Sequence, residues 1–338
     1  MQVLEQVLVQ LQVEFSRLFV KIKVLKRTFM EGSRYKTYIP KDIYLMQFFR
    51  ALIVHIVVFF IAIGVVWSGA DGGQFLNGGL DTGLTIFASC ALIAFIVQWI
   101  ALIPAYLLKT EHFYDLTGGA TYLVVIIFAF VQSEQHDLRS IILTCLVVIW
   151  ALRLGSFLFL RVRKQGSDSR FDDIKLNFWR FSIAWTVQGL WVLITAGAAI
   201  AAITSSQKTD FGLMGAVGLL LWLIGFSMEA LADNQKRIFR QQRDTQKEFI
   251  QTGLWARSRH PNYFGEILLW IGVAVIAYPA LYQWQLVTLV SPLFVILLLT
   301  KISGISLQEK QADERWADNA DYQAYKKRTP VLIPKLFG

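Results

Sequence analysis

The run Arg259-His260-Pro261-Asn262-Tyr263-Phe264-Gly265-Glu266 heads a strongly apolar stretch. A cation, a carboxamide, a phenol and a carboxylate therefore meet where the chain enters a membrane. Proline at the first helical position loses no backbone hydrogen bond and has its φ preset, so His260-Pro261 predicts a helix start. Asn262 and Glu266, four residues apart, then share a face with Tyr263 beside them. A carboxylate one turn inside a membrane helix is costly without a partner, which marks Glu266 as a functional candidate.

The elements that must position these groups are membrane helices. The chain has 338 residues, 55% hydrophobic, 14% aromatic and 17% charged, with several apolar segments long enough to cross a bilayer. An all-α, polytopic transmembrane bundle of about seven to eight spans is expected. The spans fall at 45–67, 84–108, 118–132, 140–162, 180–204, 211–233, 262–278 and 286–301, the third being short.

Lysine and arginine concentrate in alternate loops. The loops after spans one, three, five and seven hold only Arg139 and Lys208. The loop 163–179 holds Arg163, Lys164, Arg170 and Lys175, and the loop 234–261 holds Lys236, Arg237, Arg240, Arg243, Lys247, Arg257 and Arg259. The tail adds Lys310, Arg315, Lys326, Lys327, Arg328 and Lys335. Both termini are predicted to be cytoplasmic. This asymmetry accounts for the net charge of +9, and no soluble module interleaves aromatics with the basic residues, so nucleic acid is not an expected partner. The cationic rim is suited to anionic lipid headgroups. Nothing in the sequence sets the oligomeric state.

Residues 1–30 read as an amphipathic helix with Leu4, Leu8, Leu11, Phe15, Leu18 and Ile22 at helical spacing, lying on the inner membrane surface or against a neighbour. A linker runs to Pro40, so the expected organisation is an N-terminal segment 1–40, accessory helices 41–108 and a main domain 109–338 with a cytoplasmic cofactor site. The sixth helix is expected to continue through Thr252 and to close at Gly253 as a C-cap, and 309–325 to form one polar helix. Cys90 and Cys145 both lie in predicted spans and read as small packing residues, without metal-ligand spacing or a disulfide framework. No cleavable signal peptide is expected.

Depth follows from counting inward at about 1.5 Å per residue. Arg153 lies about nine residues from the inner end of span four, Gln188 about two turns inside span five, and Glu229 and Glu266 about one turn inside spans six and seven. His55 and Asp115 lie at similar levels. This shared depth points to a polar cavity opening to the cytoplasm. Glu229, Asp233 and Arg237 follow at four-residue steps, with Lys236 and Arg240 alongside, so one stripe is acidic at membrane level and basic beyond it. Arg257 and Arg259 add cations beside a helix N-terminus, which also favours anions. The assembly suits a ligand with phosphates at the rim and a polar head deeper in.

Over residues 110–334 the chain resembles the membrane reductases related to steroid 5-alpha-reductases, in particular the bacterial DUF1295 branch. The resemblance is carried by Gly225-Phe226, Glu229, Ala232-Asp233, Gln235-Lys236, Phe239-Arg240, Gly253-Leu254-Trp255 and the Arg259–Glu266 element. Asp168, Arg170, Glu309-Lys310, Arg315, Tyr322, Tyr325 and Thr329-Pro330 also fit. It implies NADPH-dependent reduction of a carbon–carbon double bond conjugated to a carbonyl in a steroid-like or isoprenoid substrate, in a bacterial inner membrane. The implied cofactor ligands match Glu229, Asp233, Arg240, Asn262 and Glu266, with Lys236, His260 and Lys310 as further contacts. Arg237, Arg240, Arg257 and Arg259 are candidates for the pyrophosphate and 2′-phosphate.

The family also uses an early acid, for which Asp115 is the candidate, and in its eukaryotic enzymes a tyrosine whose position falls near Arg153 here. The expected catalytic set is therefore Tyr263 or Arg153 as hydrogen-bond donor to the carbonyl, with Asp115 or Glu266 positioning it or relaying a proton. Two other readings stand beside this one. An isoprenylcysteine-type methyltransferase using S-adenosylmethionine shares the Arg-His-Pro-x-Tyr element, and a non-catalytic lipid-binding protein could keep the fold.

Overall fold

The computed structural model describes residues 41–76, 83–134, 136–165, 168–207, 209–242 and 248–335. The expected amphipathic helix at 1–30 lies outside them. The chain divides into two compact units, 1–53 and 54–338. The first is described only from residue 41, as the opening turns of α1 (Lys41–Gly69).

The second unit is built of α2 (Ile86–Leu107), α3 (Tyr114–Gln132), α4 (Leu138–Gln165), α5 (Phe178–Thr204), α6 (Gly212–Gln242) and α7 (Pro261–Ala277), with the rest of α1. There follow α8 (Ser291–Leu297), α9 (Ile305–Trp316) and α10 (Ala320–Arg328). Among the described residues eight helical segments are long and apolar enough to cross a membrane, and the chain is an integral membrane protein of all-α architecture. Large apolar side chains such as Phe60, Leu213 and Leu293 point out of the bundle, as lipid requires.

The eighth segment departs from an ordinary span. It is a 3-10 helix (Gln283–Val290), then α8, then a π turn (Leu298–Ile302) that leads into α9. Pro292 sits in the first turn of α8, where it costs no helical hydrogen bond.

The centre of the unit is α5. Its small residues Ala196, Ala198, Ala199, Ala201 and Ala202 are buried and let α2, α3 and α7 approach. From α2, in the region read as accessory, Phe87, Cys90 and Phe95 join this core. Cys145 instead lies exposed on the outside of α4.

Helices α6 and α7 pack backbone to backbone. A Cβ at Gly218 would stand 2.7 Å from the Gly272 carbonyl oxygen, and one at Gly225 would stand 2.5 Å from the Leu269 amide. Without a hydrophobic drive between helices in lipid, such small-residue contact is what holds two spans together.

At the end away from the basic loops, Arg139 is fully buried. It donates to the carbonyl of Ile276 at the end of α7, to that of Asp210 at 2.5 Å and to Thr209 Oγ1 at 3.2 Å. A buried guanidinium thus satisfies a carbonyl that the end of α7 leaves open and ties it to the segment before α6.

Two expectations for the connections are corrected. Residues 248–252 are not helical, so α6 does not run through Thr252, and Gly253 opens a 3-10 turn (Gly253–Ala256) instead of closing a helix. Its φ of +63° suits glycine, and the Gln235 side chain fills the space a Cβ would need while accepting the Leu254 N–H at 3.0 Å. The tail is two helices, not one: α9 stops at Trp316, and Asn319 caps α10 by accepting the Tyr322 N–H at 3.0 Å.

Candidate functional site

The glycine contact between α6 and α7 sets the site. With Gly225 and Gly265 touching, Glu229 and Asp233 on α6 come level with Asn262 and Glu266 on α7. Asn262 Nδ2 donates to Asp233 Oδ1 at 3.2 Å. From α4, Arg153 pairs with Glu229 and reaches Asp233 at 3.2 Å, while its guanidinium lies over the Phe226 ring. Glu266 shares the electrostatic neighbourhood of Glu229, Asp233 and Arg153. Three carboxylates thus surround one guanidinium, and both Glu229 and Asp233 are buried.

Toward the basic end the charge reverses. Lys236 lies over the Trp255 ring and donates to Gln308 Oε1 at 3.3 Å. Arg161, Arg240 and Lys236 lie close enough for their charges to act on one another, and Arg315 acts on Arg240 in the same way. Among the described residues neither Lys236, Arg240 nor Arg315 has a carboxylate within ion-pair distance.

Arg161 and Arg170 face Asp115, at 3.6 and 3.8 Å. Arg170 also pairs with Asp168 at 2.5 Å. Burial pushes the Asp168 carboxyl up, but the hydrogen bonds and charge of Arg170 outweigh it and hold the carboxyl below its usual range. Glu111, itself buried, accepts the Asp168 N–H at 2.9 Å and pairs with Lys175 at 2.8 Å, so the α4–α5 loop is tied down and its arginine is held in place.

The Arg257–Tyr263 stretch is braced by the tail. Arg259 N donates to the Pro330 carbonyl at 2.9 Å, Ser258 Oγ to that of Leu332 at 2.8 Å, and Lys335 N to that of Arg257 at 3.0 Å. Glu309 takes Arg259 Nη1 at 2.6 Å on one oxygen and His260 Nε2 at 2.8 Å on the other. Burial pushes the His260 imidazole below its ordinary value; the Glu309 hydrogen bond opposes this, and the charge of Lys236 adds to it. The His260 ring stacks on Tyr263, whose hydroxyl accepts from Gln308 Nε2 at 2.5 Å.

The structure brings some of the residues singled out from the sequence together and sets others apart. Glu229, Asp233, Asn262, Glu266 and Arg153 are brought together, with Lys236 and Arg240 above them. Arg237 is exposed and hydrogen-bonds Asn234 at 2.6 Å, and Lys310 is exposed near Glu314 at 3.9 Å. Arg257 points outward, and Arg259 and His260 are engaged by Glu309. Asp115 belongs with the rim arginines rather than with the buried carboxylates.

Sequence reasoning singled out neither Gln308 nor the aromatic group below the carboxylates. Tyr122, Trp150 and Trp270 form it, with ring centroids 4.9 to 6.1 Å apart. An aromatic at each of three apolar faces carries no distinguishing pattern. Glycines seven residues apart on two successive spans, Gly218/Gly225 and Gly265/Gly272, were a readable signal for the close pair.

Fold and site together define a membrane-embedded helical bundle with an acidic, amide-bearing interior beneath a basic rim. Residues 99–329 match the family described as "Protein of unknown function (DUF1295)", more than half of the chain, and the chain belongs to that family. No curated protein and no solved structure matches it.

Proposed function

We propose that this chain is an NADPH-dependent reductase of a carbon–carbon double bond conjugated to a carbonyl in a lipophilic, steroid-like or isoprenoid substrate, acting within the membrane. The observation that carries this reading is the vertical separation of charge. Among the described residues Lys236, Arg240 and Arg315 have no carboxylate within ion-pair distance, and they gather with Arg161 above Asn262, Glu266 and the buried Glu229 and Asp233.

A phosphorylated dinucleotide matches that order. Its phosphates suit Arg161, Lys236, Arg240 and Arg315, as guanidinium forks and ammonium groups bind them. Its carboxamide suits Asn262 and the carboxylates, because Glu229 Oε2 is buried without a hydrogen-bond partner and is free to accept an amide N–H. When bound, the reduced nicotinamide supplies a hydride. The protein's own part is to orient that ring, exclude water with the α6–α7 contact, polarise the substrate carbonyl and hold a proton among the carboxyls. S-adenosylmethionine has no phosphate for the rim, so the methyltransferase reading leaves those cations without a role.

The rim faces the cytoplasm in this reading, since lysine and arginine crowd the loops on that side, and a bacterial inner membrane is the proposed home. The test is thermal unfolding of purified protein with each ligand. NADPH at about a hundred times its Kd should stabilise by about 2.7 kcal/mol, and S-adenosylmethionine should not. NADPH consumption that depends on an added enone lipid, and is lost in Glu266→Gln and Asn262→Ala with folding intact, completes it. Stabilisation by S-adenosylmethionine instead would overturn the reading.

A further inference from the structure

At membrane level the described residues set three carboxyls around one guanidinium. Glu229 and Asp233 on α6 both lean on Arg153, so a single positive charge serves two acids. Glu266 on α7 acts on Glu229, yet among the described residues it has no cation within ion-pair distance. The next cation, Lys236, acts on Asp233 from the rim side. From α4, Trp150 brings an indole N–H beside Glu229, from α3 Tyr122 brings a phenol into the field of Glu266, and α7 adds the Asn262 amide at Asp233. These neutral groups do not offset charge.

Excess negative charge inside a membrane is costly until something positive balances it. Two buried groups point to a ligand as that partner. Glu229 is 2% exposed and its Oε2 accepts no hydrogen bond, and Trp150, 4% exposed, keeps its indole N–H unbonded beside it. Buried polar groups are nearly always satisfied, so a pair of this kind within an acidic group calls for an occupant that is polar and positive. An aromatic face attracts positive charge as well, and the rings of Trp150 and Trp270 lie on the deep side of the acids.

We infer that Glu229, Asp233 and Glu266 make the interior bind the oxidised, cationic nicotinamide of NADP+ more tightly than the neutral, reduced ring of NADPH. The identity of the dinucleotide rests on the reductase reading, and the sign of the preference rests on the balance of charge. Reduction of the double bond takes a hydride, two electrons with one proton, from the ring and one further proton, and it leaves one positive charge on the ring. Acids placed here are better matched to the site after that charge appears than before, and so favour its appearance. The bound dinucleotide is therefore a stronger hydride donor, each tenfold of preference lowering its potential by about 30 mV for a two-electron couple. The same acids let NADP+ hold the site against NADPH, so turnover follows the ratio of the two forms.

The experiment is calorimetric titration of the full-length protein in lipid nanodiscs with NADPH and, separately, with NADP+. Wild type should bind NADP+ more tightly by at least about tenfold. Glu266→Gln removes one charge while keeping the shape, and should bring the two constants within about threefold of each other by weakening NADP+. Asn262→Asp adds a charge and should widen the ratio, which decides the matter if Glu266→Gln does not fold. Arg240→Gln, at the rim where both forms carry the same phosphates, should weaken both and leave their ratio unchanged. A site that is merely loosened loses both affinities together, so the ratio separates charge from structure. Equal affinities in wild type, or a ratio that Glu266→Gln and Asn262→Asp leave unmoved, overturn the inference and leave the reductase reading standing. Binding of neither form to wild type overturns both.

Discussion

Gly225 and Gly265 meet reciprocally: a Cβ on either would stand 2.6 Å from the carbonyl oxygen of the other. Backbone cannot yield as a flexible side chain does, so alanine at either position must push α6 and α7 apart. Gly225→Ala and Gly265→Ala should each destabilise by about 1–3 kcal/mol in thermal or denaturant unfolding. Because this contact aligns Glu229 with Glu266, affinity for the proposed dinucleotide should fall with it. Unchanged unfolding in both variants would show that the helices do not lean on this contact.

Arg153 is the cation among three carboxylates. Arg153→Met leaves buried acids uncompensated and should cost about 3 kcal/mol, whereas Arg153→Lys should keep part of the loss at bay. Adding Glu229→Gln to Arg153→Met should recover stability, since it removes the orphaned charge. A double variant no more stable than the single one contradicts this account.

If the rim holds NADPH as proposed, Arg240→Gln and Arg315→Gln should each weaken its binding by about tenfold and flatten the salt dependence. Arg237→Gln and Lys310→Gln, whose side chains face elsewhere, should leave affinity within about twofold. Isothermal titration at two salt concentrations distinguishes the sets. Equal effects across all four would mean that the cations act only as a general field.

His260 gives a pH dependence with a definite sign. Its folded value lies below the ordinary value near 6.5, so the unfolded chain takes up the proton first as pH falls. Its contribution is full above about pH 6.5 and declines as pH drops from there toward the folded value. The Asp168 contribution, from a carboxyl held below its usual range, is lost only lower, below about pH 4. Midpoints should therefore decline as pH falls below about 6.5 in wild type, and less steeply in His260→Gln. A wild-type midpoint that rises over that interval contradicts the assignment.

The spans were legible because lipid demands long apolar runs, and α3 differs from its expected 118–132 mainly by starting at Tyr114. The composite eighth span was not, since hydropathy does not distinguish 3-10, α and π hydrogen bonding. In the site, Glu229, Asp233, Asn262, Glu266 and Arg153 stood out because charge inside an apolar run is conspicuous. Cations outside the membrane are all alike in sequence. Only packing separates Arg240, which joins the basic rim, from Arg237, which does not, and only the tail's fold brings Glu309 to Arg259 and His260. Tyr122 was silent for the opposite reason, one aromatic among many in apolar helices.

The bonds from Ser258 and Arg259 to Leu332 and Pro330 also set a schedule for biosynthesis. The loop that leads into α7 is held by residues translated more than seventy positions later. Spans one to seven can enter the bilayer before Pro330 and Leu332 are translated, yet the entrance to the interior takes its final form only after they are. A nascent chain stalled before Pro330 would be inserted but unfinished.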